Sequence, residues 1–146
     1  MIFKNQPSRY CRKSLISKRG QFHFYMIPRT ERMHPYLVPL PTKFVRFSKD
    51  KGVKKVLEVG CGYGRVGLFL LENQFNVTGV DVDSEQVKLA KQETKNRRER
   101  REIVFLVDDA RYLCFRDSSF DAVTMLAVLT LVPKSGRAKI MSEISS

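Results

Sequence analysis

Cysteine is scarce in this chain and unpaired: Cys11, Cys61 and Cys114 are odd in number, far apart and without a CxxC spacing, and only two histidines accompany them. That pattern suggests neither a disulfide framework nor a zinc site, so no metal is expected. Each cysteine reads as a small buried hydrophobe, and the compartment as reducing and cytoplasmic. Long apolar runs are also missing. The longest, residues 122–132, contains Thr124 and Thr130 and falls well short of the roughly 20 residues that cross a bilayer, which excludes a membrane-spanning role. Acidic residues are absent from residues 1–30, where seven Lys or Arg and scattered Ser also match the composition of an organelle transit peptide, though the amphipathic pattern is weak.

What is there is a strongly uneven charge. The formal net charge is +12, and residues 1–55 hold all of the excess, with fourteen Lys or Arg against Glu31 and Asp50. From residue 56 onward the signs balance. Such an arm suits phosphate, an acidic partner or an anionic surface, and nucleic acid is a candidate partner for residues 1–55. Residues 21–26 (QFHFYM) interleave aromatic and polar groups, a pattern for stacking on bases or for a strand packed on the domain. With 42% hydrophobic and 29% charged residues, 146 residues are enough for one ordinary core. Pro28, Pro35, Pro39 and Pro41 punctuate the region before it. The division is therefore a basic arm over 1–42 and a domain over 43–146.

Inside the domain, apolar runs and helical spacing alternate. A short amphipathic segment at 43–49 precedes strands expected at 55–59, 76–82, 102–107 and 120–131, with helices at 65–73, 84–98 and 135–144. Asp83 is placed to cap the second of these helices, with Gln86 in capping-box position. The run 120–131 (FDAVTMLAVLTL) is apolar enough to be a strand covered on both faces. Asn96 to Arg101 (NRRERR) reads as a solvated helix end. The alternation predicts an α/β fold, a doubly wound and mostly parallel sheet with helices on both faces.

The chemistry concentrates at 56–67, VLEVGCGYGRVG, where an apolar strand carrying Glu58 runs into glycines at 60, 62, 64 and 67. Glycine supplies the positive φ of such a turn and lets the backbone approach a nucleotide-like ligand. Asp81 ends the second strand, near the spacing at which a carboxylate meets ribose hydroxyls. Asp109 and Ala110 end the third, placed for a carboxylate and an amide to read a purine edge. Gly62, Gly64 and Gly67 also satisfy GxGxxG, the dinucleotide fingerprint. Glu58 argues against a pyrophosphate and for a ligand bearing cationic groups. Asp121 reads as a turn carboxylate, Asp108 as a solvent-facing one, and Tyr63 as either a sulfonium partner or a cover on the loop.

Together VLEVGCGYGRVG (56–67), VTGVDVDSEQVKLA (77–90) and VDDARYLCFRDSSFDAVTMLAVLTLVP (107–133) resemble the class I, Rossmann-like S-adenosylmethionine-dependent methyltransferases over residues 50–146. The resemblance implies that Glu58, Gly60, Cys61, Gly62 and Gly64 surround the methionine part of S-adenosylmethionine. It makes Asp81 the ribose ligand, with Val82 beside the adenine and Asp109 and Ala110 reading it. Ala127, in the fourth strand, would face the methyl donor through its backbone or through Leu126. The implied reaction is in-line transfer of the sulfonium methyl to an unidentified acceptor. His23 and His34 both lie in the arm, and no catalytic residue is assigned.

The family's strands 5 to 7 have no counterpart in this sequence, so the expected sheet is partial, ordered 3-2-1-4, and a fragment is the favoured explanation. Its fourth strand would expose an apolar edge through which the chain associates. Two other functions remain open at this point. One is a non-catalytic nucleic-acid-associated module that uses the basic arm and keeps a vestigial nucleoside cleft. The other is an NAD-dependent oxidoreductase, for which only the GxGxxG spacing speaks.

Overall fold

The computed structural model describes residues 42–95 and 101–146. The arm over 1–41, with its histidines and aromatic stretch, and most of NRRERR lie outside the described residues. Four strands, β1 (Lys55–Val59), β2 (Asn76–Asp81), β3 (Ile103–Val107) and β4 (Ala122–Met125), form one parallel sheet ordered β3-β2-β1-β4. Five helices accompany them: α1 (Thr42–Asp50), α2 (Arg65–Glu72), α3 (Ser84–Thr94), α4 (Val128–Leu131) and α5 (Lys134–Ile144).

Alternation along the central strand sorts the layers. Val56 faces a cluster with Val45 of α1 and Val66 and Leu70 of α2, while Leu57 and Val59 face the opposite cluster with Ile140 and Ile144 of α5. Val87 and Ala90 of α3 pack with Phe105 on the α2 side. Helices therefore cover both faces, as the sequence pattern predicts. Burial on both sides explains why β1 reads KVLEV with every residue after Lys55 buried. Asp83 caps α3 as expected, accepting the Glu85 and Gln86 amides at 2.9 and 3.2 Å. Asp121 accepts the Lys54 and Lys55 amides, both at 2.9 Å, and so ties the start of β4 to the start of β1.

The expected fourth strand over 120–131 is corrected. β4 spans four residues, and the apolar run then turns through Ala127, at φ 59°, into the short helix α4. An unbroken apolar run has no period to separate strand from helix, which is why the turn was invisible. The apolar strand edge is correspondingly shorter than expected. Among the described residues no helix is long and apolar enough to cross a membrane.

Candidate functional site

Parallel strands deliver all their carboxyl ends to one edge of the sheet. The register Val59↔Val80 and Asp81↔Val107 sets the turns after β1, β2 and β3 side by side there. Gly60, Cys61, Gly62, Gly64, Asp81, Val82, Asp109 and Ala110 all come off this edge.

The turn after β1 is held from below. The Gly60 and Cys61 amides both donate to the Val80 carbonyl, at 2.8 and 3.0 Å, and the Gly64 amide closes the turn onto the Cys61 carbonyl at 2.9 Å. Gly60, Gly62 and Gly64 have φ of 73°, 51° and 88°, the left-handed region that favours glycine. Their surroundings differ. A Cβ on Gly60 would overlap Val128 of α4, and one on Gly64 would sit 2.7 Å from the Phe105 ring. Only the Gly62 position opens outward, its nearest neighbour being Gln86 Oε1 at 3.8 Å. Two of these glycines thus serve protein packing, and one leaves room over the loop.

Asp81 is the joint of the site. Its Oδ2 accepts the Gly62 amide at 2.8 Å and its Oδ1 accepts the Asp83 amide at 3.0 Å, so one carboxylate fixes both the glycine loop and the head of α3. Val82 beside it is 66% exposed, an apolar surface left bare at the edge. After β3, Asp108 is half-buried rather than solvent-facing. It accepts the Asp109 and Cys114 amides at 2.9 and 3.4 Å and folds the following loop back, while burial raises its pKa. Asp109 is gripped by Arg111, whose backbone amide and Nε donate to Oδ1 at 2.9 and 3.0 Å and whose Nη2 donates to Oδ2 at 2.6 Å. The guanidinium holds the Asp109 carboxyl below the usual carboxylate range. Arg111 was not foreseen, although a basic residue two positions beyond a carboxylate was the available signal.

Glu58 lies beneath the loop, not on it. It is 4% exposed, and its Oε2 has no hydrogen-bond partner. A Cβ on Gly67 would be 2.9 Å from that oxygen, so glycine at the first turn of α2 makes space for the carboxyl. Burial pushes its pKa from 4.5 to about 8; the Gly67 amide opposes the rise and the charge of Asp81 adds to it. Cys61 is buried against Val87, Ala90 and Phe105, its thiol pushed up to about 12 by burial and by Glu58 and Asp81, and it is an inert packing group. Cys114 is only half-buried. The Tyr63 ring carries the Arg65 guanidinium 4.6 Å from its centroid. Ala127, expected in the fourth strand, instead lies beyond β4 and caps α4 in the left-handed conformation, and its neighbour Val128 is the side chain that meets Gly60.

Residues 56–146 match the methyltransferase-domain family. The chain belongs to that family. Its parallel sheet, ordered 3-2-1-4, is that of the class I, Rossmann-like methyltransferases that depend on S-adenosylmethionine. This methyltransferase domain is 34% identical over 85 residues to a putative methyltransferase, YqeM, of Bacillus subtilis, covering 58% of this chain and 32% of that protein. It is 44% identical over 69 residues to the 2-methyl-6-phytyl-1,4-hydroquinone methyltransferase of Synechocystis, covering 47% and 21%. A solved SAM-dependent methyltransferase from Methanosarcina mazei superposes with a TM-score of 0.59 at 36% identity, covering 63% of this chain and 46% of that one. The chain spans about a third of the first relative's length and about a fifth of the second's.

Proposed function

We propose that this methyltransferase domain binds S-adenosylmethionine across the carboxyl edge of its sheet and transfers the sulfonium methyl to an acceptor by in-line displacement. The observation that carries the reading is the convergence of the glycine loop, Asp81 and the Asp109–Ala110 turn from three neighbouring strands. The donor set fits such a ligand. A carboxylate offers about four lone-pair sites, and Asp81 uses one on each oxygen for Gly62 and Asp83, which leaves one on each for a vicinal ribose diol. Val82 gives apolar surface to a purine, and because Arg111 already donates to both oxygens of Asp109, an exocyclic amine would share or displace that guanidinium.

Bound S-adenosylmethionine supplies a methyl group already activated by a neutral leaving group. Asp81, Gly62 and Val82 therefore position and desolvate, and an acceptor that arrives protonated needs a general base besides them. Asp81 orients the ribose, Gly62 leaves the loop open to the methionine part, and Val82 keeps water from the purine. The acceptor is not identified by these residues, and no catalytic residue is assigned.

Calorimetric titration with S-adenosylmethionine, S-adenosylhomocysteine and NADH tests the reading. Heat is expected with both sulfur nucleosides and none with NADH. Asp81→Ala removes charge-assisted hydrogen bonds and is expected to weaken binding by about tenfold or more. No heat with either sulfur nucleoside, or unchanged affinity in the variant, overturns the proposal.

A further inference from the structure

β3 pairs with β2 on one side, and its other side is unpaired among the described residues. The Glu102 carbonyl accepts the Val77 amide and the Asp108 amide donates to the Asp81 carbonyl, so even-numbered positions bond to β2. The backbone groups of Ile103, Phe105 and Val107 consequently face outward. Natural proteins blunt such edges with charge or proline, and the strand, IVFLV, has neither.

The two faces beside this edge differ in chemistry. On one, Val104 and Leu106 are 47% and 37% exposed. On the other, Val107 borders a groove of about 310 Å³ along α3 that is lined by Lys88, Lys91 and Lys95 and, among the described residues, by no acidic residue, although Glu85 next to it pairs with Lys88 at 3.7 Å. We propose that the β3 edge docks an extended acidic peptide of another protein as an added strand, with acidic and apolar residues alternating along it. Successive side chains of a strand point to opposite faces, so one set meets the three lysines and the other meets Val104 and Leu106.

Charge selects this occupant over the others at hand. Residues 1–41 carry eight Lys or Arg against Glu31 alone, so that segment is repelled by the lysines. A second copy pairing through β3 would bring two lysine rims together. The proposal is independent of the cofactor reading.

Fluorescence anisotropy of the full chain with a labelled peptide of about nine residues, alternating glutamate and valine, is the test. Saturable binding is expected. It should weaken by about tenfold or more in the double variant Lys88→Glu, Lys91→Glu, and by as much when the peptide's ladder-facing amides are N-methylated. Circular dichroism of the variant establishes that it is folded. No binding up to about 1 mM overturns the proposal. So does equal binding of the N-methylated peptide or of a peptide with its glutamates and valines in separate blocks, because charge alone would then account for it. Self-association lost on Val104→Lys would assign the edge to a second copy, and tighter binding of a labelled oligoribonucleotide through the same lysines would assign it to nucleic acid; either result refutes the acidic peptide.

Discussion

Glu58 makes the stability of this domain depend on pH in an unusual direction. Its carboxyl titrates at about 8 in the folded chain against 4.5 when free, so between these values the unfolded chain has lost a proton that the folded chain keeps. Stability therefore falls as pH rises through this window: the contribution is whole below about 4.5 and gone above about 8. From about pH 5 to pH 8 the loss amounts to roughly 3 kcal/mol, a large share of a typical domain's 5–15 kcal/mol. At this size roughly 10 °C of melting temperature is at stake. Urea and thermal melts of the chain and of Glu58→Gln, across that range, isolate the effect because other titrating groups are common to both. Glu58→Gln is expected to match the parent near pH 5 and exceed it by roughly 3 kcal/mol near pH 8. Parallel pH profiles for the two proteins would refute the reasoning and would mean that water or a cation reaches the buried Oε2.

Two further outcomes follow from named contacts. Gly60→Ala adds a Cβ at φ 73° that overlaps Val128, and is expected to cost about 2–4 kcal/mol in urea unfolding, partly restored in a double variant with Val128→Ala. Asp121→Ala leaves the Lys54 and Lys55 amides without their acceptor and is expected to cost about 1–2 kcal/mol, with calorimetric affinity for S-adenosylmethionine unchanged because the contact lies at the opposite end of β1 from the glycine loop.

Much of the architecture was legible because local and long-range signals agreed. β1 and α2 announce themselves through a buried apolar run, a glycine turn and helical spacing, and Asp83 marks the start of α3 through its side-chain oxygen. The positions at the carboxyl edge were legible for a similar reason: strand ends in a parallel sheet are fixed by topology once the strands are known. What was hidden depended on partners distant in sequence. Nothing local distinguishes Gly60, which makes way for Val128, from Gly62, which faces open space. The grip of Arg111 on Asp109 and the inward turn of Asp108 were hidden for the same reason, since two adjacent aspartates look alike in one dimension. The break at Ala127 needed the third dimension as well, since the loop after β1 occupies the space beside which the chain turns into α4.

The meeting of Gly60 with Val128 ties together two stretches that a designer would otherwise treat as separate modules. Volume given to one is taken from the other, so transplanting the β1 turn from a relative without the matching segment after β4 would wedge the sheet open at its centre. Substitutions at these two positions are expected to succeed only as compensating pairs.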